Sequence, residues 1–386
     1  MKDYFSEIVG YEDIKKELRI ISDMLNNPEI YQKMGADING GLILSGKPGT
    51  GKTTMARCLI KSTDMKAYTI RKKDSDGDFI KTIASVFETA LKTAPAIVLL
   101  DDLDKFSDKD NDNCDAEEFV TVQSYMDEVK GTGVFVIATA NDIRKIPDSL
   151  LRAGRLGKRL AVRLPKSGEA VGIVKHYLDK TGTCKELDAK SIARILEGES
   201  CATLENVINN AAIKAAYNRQ EKVTMQNMVD SCLDLLFASP EGTEELSEEI
   251  RKKVAYHEAG HALVSELLDP RSVSLISIRR SRGCYGFVRY SRSNEKVDYS
   301  SGYIEIMIKA SLAGKATTEL IFGETDMGVN DDLHNAFDQA KILVDNQCMF
   351  GFQSWIEDKD SIVAAENRNR ARAMLLEKNY LEVKKL

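Results

Sequence analysis

Short apolar runs alternate with longer helix-like segments between residues 40 and 165 of the chain. A run that is apolar at every position suits a strand buried on both faces, and parallel sheets alternate such strands with crossover helices. The predicted strands are GLILSG (41–46), AYTI (67–70), AIVLL (96–100) and VFVIATA (134–140). The pattern therefore predicts an α/β domain built on a parallel sheet.

The pattern becomes helical after RLAVRLP (159–165). Residues 168–237 repeat apolar positions with helical spacing, which predicts a small helical subdomain. A polar segment with proline and glycine, SPEGTEELSEE (239–249), then precedes a new, mostly helical pattern. We expect the main division near residue 245. The expected parts are residues 1–166, 167–240 and 246–386.

Composition narrows the classes of function. The chain has 386 residues, of which 43% are hydrophobic and 30% charged, and this suits two or three globular domains. The net charge of −6 and the lack of a long basic run argue against nucleic acid as a partner. No stretch without charged residues approaches the roughly 20 residues of a membrane helix, and signal-peptide features are absent, so we expect a cytoplasmic protein without a membrane span. The seven widely spaced cysteines are expected to be reduced thiols.

A phosphate-binding motif follows the first predicted strand. The segment GKPGTGKT (46–53) fits G-x-x-x-x-G-K-[ST] and opens a predicted helix. Its glycines let successive backbone N–H groups wrap phosphates, and the helix N-terminus adds a favourable dipole. Lys52 is then expected to reach the terminal phosphates and Thr53 a magnesium ion. The motif predicts binding of a nucleoside triphosphate such as ATP.

Polar residues at the ends of two further strands complete this site. AIVLL ends in Asp101 and Asp102, which places a carboxylate where it can hold Mg²⁺. VFVIATA ends at Asn141, whose side chain can position the attacking water. A solvated glycine-rich turn would rarely match all three segments.

The last part of the chain opens with a metal-binding motif. His257 and His261 flank Glu258 in HEAGH, and on a helix this spacing points both imidazoles to one side, where they can share Zn²⁺. Ser247 can cap the start of that helix. Glu258 then lies where it can take a proton from a zinc-activated water and pass it to the leaving amine. The motif predicts a zinc peptidase.

A catalytic zinc ion needs a third protein ligand and one open position. Spacing alone leaves four candidates, which are Glu319, Asp331, Asp332 and His334. An amphipathic helix is predicted directly after Asp332, and a carboxylate suits the start of a helix. The segment GCYGFVRYS (283–291) is either an edge strand that pairs with an extended substrate or an ordinary hairpin strand.

Residues 5–238 resemble the AAA ATPase module of the FtsH family. The resemblance is carried by FSEIVGYEDIKKELR, GLILSGKPGTGKT, APAIVLLDDLD, VIATAND and LLRAGRLGKRL. It implies that the segment Ile8, Val9 and Gly10 borders the adenine, and that His176 does so too. It also implies that Arg155 reaches the ATP of a neighbouring subunit, while Lys158, followed by Arg159, holds the second arginine position. The nucleotide contacts expected in total are Val9, Gly10, Pro48, Gly49, Thr50, Gly51, Lys52, Thr53, Thr54, Asp101 and His176.

Two regions differ from the pattern of that family. Asp102 stands where the family has a water-activating glutamate, and its shorter side chain predicts slow hydrolysis or an adjusted water position. The family threads substrates with an aromatic-apolar-glycine loop. The matching region here reads RKKDSDGDFIKT (71–82), in which no glycine follows Phe79 and Ile80. Because this glycine is missing, threading of folded substrates is the part of the resemblance that the sequence supports least.

The later segments HEAGHALVSELL, ASLAGKATTELIFGE and MGVNDDLHNAFDQAKILV resemble the FtsH-type zinc peptidase domain. The resemblance implies that Asp332 is the third zinc ligand. Glu319 and His334 are then candidates for residues that contact the zinc ligands without binding the metal themselves.

We therefore expect an AAA module followed by a mostly α-helical zinc metallopeptidase domain, assembled as a homo-oligomeric, hexameric ring. Its expected function is ATP-dependent hydrolysis of peptide bonds in protein substrates, with Zn²⁺, ATP and Mg²⁺ as cofactors. The expected catalytic residues are Glu258, Asp102, Asn141 and Arg155. Two alternatives are a zinc peptidase whose ring gates access without threading, and a remodelling ATPase or chaperone with an inactive peptidase domain.

Overall fold

A computed structural model describes most of the chain. The described residues are 3–36, 40–72, 78–107, 116–182, 184, 186–237, 247–279, 285–291, 300–325, 327–352 and 362–386. They form two compact units, the first within residues 1–180 and 198–206, the second within residues 181–197 and 207–386. The predicted division near residue 245 lies outside the described residues.

The first unit is built on a five-stranded parallel sheet. Its strands are β1 Gly41–Ser45, β2 Lys66–Ile70, β3 Ala96–Leu100, β4 Val134–Ala140 and β5 Lys158–Ala161. They are arranged in the order β2-β3-β4-β1-β5. Every residue of β1, β3 and β4 is buried, as the unbroken apolar runs require. The prediction of a parallel α/β sheet is confirmed.

Two of the helices in this part share a buried hydrophobic cluster with the sheet. The helices of this part are α1 Glu12–Asn26, α2 Pro28–Lys33, α3 Lys52–Lys61, α4 Phe79–Lys92, α5 Glu117–Glu128 and α6 Ser167–Lys180. Short 3₁₀ turns span Tyr4–Glu7, Leu103–Lys105 and Ile143–Lys145. Phe87 of α4 and Phe119 of α5 belong to the same buried cluster as Val98 and Val136 of the sheet. The apolar faces of α4 and α5 therefore cover the central strands.

The register of the sheet gathers distant segments at one edge. Ser45 at the end of β1 pairs with Ala140 at the end of β4, and Leu100 of β3 pairs with Ala138. The residues that follow these three strands therefore meet at the carboxyl edge of the sheet. They include the phosphate-binding motif and the polar residues after β3 and β4.

The second unit is mostly helical, as expected. Its elements are α7 Ala189–Ile195, α9 Met225–Phe237, α10 Glu248–Leu268, β6 Val273–Ser277, β7 Phe287–Tyr290, α11 Ser301–Phe322, α12 Asn330–Lys341 and α13 Ile362–Val383. α8, Cys201–Tyr217, begins in the first unit and continues in the second. Ile308 and Leu312 of α11 share a core with Ala340 of α12 and Leu375 of α13. No helix among the described residues combines the length and the apolar character needed to cross a membrane.

Helices that the sequence assigns to the first domain's lid cluster with the second unit. Arg279 Nη2 donates to Asp230 Oδ1 of α9 at 2.6 Å. Arg194 of α7 donates to the carbonyl oxygen of Val273 in β6. These contacts join α7 and α9 to the residues around the two-stranded sheet, and the domain bounds 1–166, 167–240 and 246–386 stay predictions.

α10 and α11 approach each other closely at Gly260. A Cβ atom built on this residue would lie 2.1 Å from Thr317 Oγ1 and 2.9 Å from the carbonyl oxygen of Ala313. Glycine in the interior of a helix costs about 1 kcal/mol relative to alanine, so its presence here needs a reason. The reason is the contact with α11, which leaves no space for a side chain.

Replacing Gly260 by alanine is expected to destabilise the second unit by about 1–3 kcal/mol, because the added methyl group overlaps α11. Chemical denaturation of the whole chain, followed by far-UV circular dichroism, measures this loss. The control is Gly302→Ala in the first turn of α11, where the nearest atom to an added Cβ is Ser300 Oγ at 3.9 Å. That variant should be neutral or stabilising, and equal losses in both would contradict the close contact.

Candidate nucleotide and zinc sites

A tight loop connects β1 to α3. Gly46 and Gly49 have φ values of 154° and 76°, which side chains disfavour. A Cβ atom on Gly46 would lie only 2.0 Å from the carbonyl oxygen of Val162. The loop thus combines a backbone conformation that requires glycine with a close approach to the neighbouring chain segment.

The remaining residues of the loop lead directly into the helix. Thr50 is buried, and its hydroxyl donates to the carbonyl oxygen of Lys47 at 2.9 Å. Pro48 and Thr54 are exposed. Gly51 is the N-cap of α3, so the loop ends where free backbone N–H groups and the helix dipole favour phosphate.

Lys52 is buried and fully engaged within the loop. Its Nζ donates to the carbonyl oxygens of Gly46 at 2.8 Å and Lys47 at 2.9 Å, and to Asn141 Oδ1 at 2.8 Å. Burial lowers the pKa of Lys52, and the nearby aspartates partly offset this effect. The ammonium group therefore lies between the loop and the end of β4, where the motif requires it.

Thr53 and Asp101 are brought into direct contact. Thr53 Oγ1 donates to Asp101 Oδ1 at 3.0 Å, and Thr139 Oγ1 donates to the same oxygen at 2.9 Å. Asp101 is buried at the end of β3. A hydroxyl and a carboxylate at this spacing are the oxygen ligands that Mg²⁺ uses beside a nucleotide.

Asp102 lies next to Asn141. Asn141 Nδ2 donates to Asp102 Oδ1 at 3.3 Å, and Lys105 Nζ donates to Asp102 Oδ2 at 2.9 Å. Although burial opposes the effect, the hydrogen bond and charge of Lys105 hold the pKa of Asp102 below its usual value. The two residues expected to handle the attacking water are thus adjacent.

Two of the residues expected around the adenine, Val9 and Gly10, lie against α6. A Cβ atom on Gly10 would lie 2.9 Å from Glu169 Cβ, and one on Gly172 would lie 3.4 Å from Val9 Cγ1. His176 comes one helical turn after Gly172, on the same side of the helix, and is exposed. Contact of His176 with adenine stays a prediction.

Arg155 forms an ion pair within its own chain. Its Nε and Nη2 donate to the carboxylate of Asp127 at 3.0 and 2.6 Å, and its Nη1 donates to the carbonyl oxygen of Ser149 at 2.6 Å. These hydrogen bonds hold the pKa of Asp127 well below its usual value, with help from Lys130. A role for Arg155 at another subunit would require it to leave this pair.

The basic residues at the second arginine position are also engaged. Lys158 pairs with Glu17, and Arg159 donates to the carbonyl oxygen of Leu151. Arg155, Lys158 and Arg159 thus each have a partner in their own chain.

Phe79 is part of the hydrophobic core. Only 9% of its surface is exposed, and its ring meets that of Phe106 edge to face, with centroids 4.9 Å apart. Ile80 is half-buried beside it in α4. Residues 73–77 lie outside the described part of the chain. The one aromatic residue in the segment 71–82 therefore stabilises the sheet domain and does not project as a gripping side chain.

Three donor atoms converge in the second unit. His257 Nε2 and His261 Nε2 lie 3.1 and 3.2 Å from Asp332 Oδ2, and 3.0 Å from each other. His261 Nδ1 donates to the carbonyl oxygen of Ala310 at 2.7 Å, which leaves Nε2 free to bind a metal. Both histidines are buried, and Asp332 is half-buried at the start of α12. Within the described residues, this trio is the group of His, Cys, Asp and Glu that meets the geometry of a metal site.

The donor set fits zinc. A tetrahedral zinc ion with bonds of about 2.0–2.1 Å holds its ligand atoms about 3.3 Å apart, close to the spacing seen here. Gly314 of α11 makes the arrangement possible, because a Cβ atom there would lie 2.4 Å from His261 Nε2 and 2.5 Å from His257 Nε2. Two imidazoles, one carboxylate and one open position match a catalytic zinc site.

Glu258 lies between the two histidines on α10 and faces the segment before β7. A Cβ atom on Gly286 would lie 2.8 Å from both Cγ and Oε1 of Glu258. Burial raises the pKa of Glu258, and the neighbouring histidines oppose this effect. β7 pairs with β6 in an antiparallel sheet, and among the residues that the structure describes no strand lies on its other side.

The other candidate ligands lie apart from the three donors. Glu319 accepts hydrogen bonds from Lys384 at 2.7 Å, from the Tyr380 hydroxyl and from Lys315 at 2.9 Å, and these bonds lower its pKa to about 2. His334 is exposed, and its Nδ1 donates to the carbonyl oxygen of Asn330 at 2.8 Å. Asp331 is exposed. Glu319 therefore joins α11 to α13, and among the described residues it is not part of the group of three donors. A role for Glu319 or His334 next to the zinc ligands stays a prediction.

Sequence reasoning missed Gly286 and Gly314. Both are glycines beside or within regular elements, where glycine is otherwise unfavourable, and this is a signal of close backbone approach. The sequence does not show which segment each of these glycines contacts, and only the structure identifies Glu258 for Gly286 and the two histidines for Gly314.

Two family models match the chain. The model described as "ATPase family associated with various cellular activities (AAA)" matches residues 42–164, and the model "Peptidase family M41" matches residues 244–380. The first range contains the phosphate-binding loop and the ends of β3 and β4. The second contains all three donor atoms of the zinc site.

Several curated proteins are similar to the chain over most of its length. "ATP-dependent zinc metalloprotease FtsH" of Ureaplasma parvum serovar 3 is 30% identical over 354 residues, which cover 88% of this chain and 49% of that protein. The protein of the same name from Halothermothrix orenii is 30% identical, covering 88% of this chain and 56% of that protein. "ATP-dependent zinc metalloprotease FTSH 5, chloroplastic" of Arabidopsis thaliana is 31% identical, covering 97% and 55%. The chain spans about half the length of these relatives.

Gly314→Ala is expected to weaken zinc binding by roughly 10- to 100-fold, because the added methyl group displaces both imidazoles. Competition with a chromophoric zinc chelator measures the affinity without relying on activity. Gly302→Ala, in the same helix but with open space around it, should bind zinc as the parent does. Unchanged affinity in Gly314→Ala would show that these imidazoles do not bind the metal.

Proposed function

This chain belongs to the FtsH family, and from that membership and its two sites we propose that it is an ATP-dependent zinc metalloendopeptidase. Its substrates are proteins or peptides. The convergence of His257, His261 and Asp332 beside Glu258 carries the proposal. Hexameric assembly and a cytoplasmic location are further parts of it.

The zinc ion would be held by Nε2 of His257, Nε2 of His261 and Oδ2 of Asp332. When bound, the ion supplies Lewis-acid chemistry that activates water and polarises the scissile carbonyl. Glu258 takes the proton from the water and delivers it to the leaving amine. Its position between the two histidines suits it to this transfer. The buried surroundings of Glu258 exclude bulk water from this transfer.

β7 offers a way to align the substrate. Its free edge can pair with an extended peptide through main-chain hydrogen bonds, which position a chain without reading its side chains. Gly286 precedes β7 and lies against Glu258, so a peptide beside this segment would pass close to the general base. The lack of a side chain at Gly286 keeps that approach open.

The first unit binds ATP with Mg²⁺. With the nucleotide bound, Lys52 would exchange its carbonyl partners for phosphate oxygens, and Thr53 and Asp101 would hold Mg²⁺. Asp102 and Asn141 orient the water that attacks the terminal phosphorus. In a ring, Arg155 would leave Asp127 and contact the nucleotide of the neighbouring subunit. Since Phe79 is buried, coupling of ATP to proteolysis does not use this side chain as a grip.

The two alternatives have less support. A remodelling ATPase with an inactive peptidase domain leaves the three convergent donors and Glu258 without a role. A gate that does not thread substrates accounts for the buried Phe79, but the similarity to named ATP-dependent proteases over 88% and 97% of this chain favours the coupled enzyme.

Lys52→Met is expected to weaken ATP binding by at least about 10-fold, because the terminal phosphates lose their cation. Titration with a fluorescent ATP analogue measures the affinity. Lys61→Met removes the same charge from the other end of α3, where Lys61 pairs with Glu7 on the surface, and should leave the affinity unchanged. A similar loss in both variants would point to a general charge effect.

Glu258→Gln is expected to lower peptide hydrolysis by about 10²- to 10⁴-fold while zinc content is retained, since only the proton acceptor is removed. A short peptide and a loosely folded protein, each with and without ATP, are the substrates. The control is Glu249→Gln, which makes the same change at a mostly exposed side chain of the same helix. If the parent cleaves neither substrate in the presence of zinc, the proposed protease activity is refuted. If ATP never increases cleavage of the protein substrate, the proposed coupling of ATP to proteolysis is refuted.

A further inference from the structure

Residues 8–11, the 8–11 turn, connect the first 3₁₀ turn to α1. The last of them, Tyr11, has φ and ψ values of 56° and 42°, in the left-handed region. A bulky residue rarely adopts this region, and yet Tyr11 is only 1% exposed. Backbone strain of this kind persists where the surrounding structure fixes the conformation, and it is concentrated at functional sites. The contacts that fix this turn therefore point to a role.

Glu169 of α6 holds the main chain at the end of the turn. Its Oε1 accepts a hydrogen bond from the N–H of Tyr11 at 2.9 Å. The same carboxylate accepts from Arg163 Nη1 at 2.6 Å, from Arg163 Nη2 at 3.0 Å and from the N–H of Lys166 at 2.7 Å. Burial would raise the pKa of Glu169, but these hydrogen bonds outweigh it and lower the pKa. A charged side chain that is 17% exposed thus ties the turn to α6.

Lys15 of α1 holds the main chain at the start of the turn. This lysine is 7% exposed, and its Nζ donates to the carbonyl oxygen of Ile8 at 3.1 Å. It also pairs with Glu12. Lysine is rarely buried, because its ammonium group loses hydration. A buried lysine that ends on a main-chain carbonyl therefore ties the turn to α1, as Glu169 ties it to α6.

The middle of the turn offers main-chain groups to a ligand. Among the described residues, the N–H and carbonyl groups of Val9 and Gly10 have no hydrogen-bond partner in the chain, although both residues are half-buried. Main-chain polar groups away from bulk water are normally paired. Donors and acceptors at fixed main-chain positions are the polar groups that orient a small molecule in its site. The turn is thus held at both ends and open to hydrogen bonds in its middle.

The side chain of Tyr11 connects the turn with the phosphate-binding loop. Its hydroxyl donates to the carbonyl oxygen of Arg163 at 3.1 Å and lies 3.4 Å from Cys201 Sγ. Cys201 Sγ donates in turn to the carbonyl oxygen of Thr50 in the loop at 3.9 Å. Because one pair of side chains joins the turn to the loop, a ligand whose phosphates occupy the loop lies next to the turn.

We propose that Glu169 and Lys15 are positioning residues that fix the 8–11 turn for contact with the nucleoside part of ATP. This inference rests on the proposed ATP-binding function of the first unit. The phosphate-binding loop holds the phosphates, and the turn adds affinity for the nucleoside through its main chain. Because the turn is already ordered by the two charged side chains, little conformational entropy is lost when the nucleoside binds.

The experiment compares a nucleotide with its phosphates alone, using Glu169→Gln and Lys15→Met in the full chain. Calorimetric titration in the presence of Mg²⁺ gives the dissociation constants of adenylyl imidodiphosphate, an ATP analogue that is not hydrolysed, and of inorganic tripolyphosphate. Each variant is expected to bind the nucleotide about 10-fold more weakly, the order of effect of one charge-assisted hydrogen bond, and to bind tripolyphosphate within about 2-fold of the parent. A general disturbance of the site would weaken both ligands.

Two matched controls remove the same charges from exposed positions of the same helices. Asp179→Asn changes a carboxylate near the other end of α6, and Lys16→Met changes the neighbour of Lys15 in α1. Both controls should bind the two ligands as the parent does. Steady-state ATP hydrolysis gives a further readout, in which KM for ATP rises about 10-fold in Glu169→Gln while kcat is unchanged, because the residues beside the terminal phosphate are untouched.

Equal losses of affinity for the nucleotide and for tripolyphosphate would overturn the proposal, and unchanged nucleotide affinity in either variant would overturn it for that residue. A parent that binds tripolyphosphate as tightly as the nucleotide would also overturn it, because the turn would then add nothing. If circular dichroism shows that Glu169→Gln does not fold, Lys15→Met decides the matter. If the parent binds neither ligand, the proposed ATP-binding function itself fails.

Discussion

Both candidate sites depend on backbone segments that meet where glycine leaves no Cβ atom. Gly314 brings α11 against the imidazoles of His257 and His261, and Gly260 lets α10 and α11 touch. Gly46 places the phosphate-binding loop against the carbonyl oxygen of Val162. Protein interiors are close-packed, so one added carbon at such a contact must move a whole segment. The positions of the reactive side chains therefore follow from main-chain contacts that no polar interaction can replace.

The two sites balance charge in opposite ways. In the second unit, the nitrogen and oxygen donors of His257, His261 and Asp332 point at one another, an arrangement that a shared cation stabilises. In the first unit, Lys52 and Asp101 already have hydrogen-bond partners from their own chain. A ligand that exchanges one hydrogen bond for another gains little from the exchange itself. Affinity for ATP must then come mainly from the charge of the phosphates and Mg²⁺. The zinc site differs, because a bound ion directly stabilises its three converging donors.

Local motifs were predictable because helix and strand geometry is constant. The i, i+4 spacing of His257 and His261 places both on one helix face in any protein, and an apolar run that ends in Asp101 ends at the carboxyl edge of a parallel sheet. The third ligand was different. Spacing left Asp332 among four candidates, and only the resemblance to a known family selected it. In the structure Glu319 is occupied by Lys315 and Lys384, which the sequence pattern did not indicate.

The sequence by itself determined the kinds of chemistry, because the phosphate-binding loop and HEAGH encode their geometry within a few residues. Tertiary structure alone decided which distant residues join them. It buried Phe79 in the core, paired Arg155 with Asp127 and placed Arg71 beside Asp102. Such choices depend on the summed packing of whole helices and strands, in which each contact is weak, so no short segment of sequence contains them.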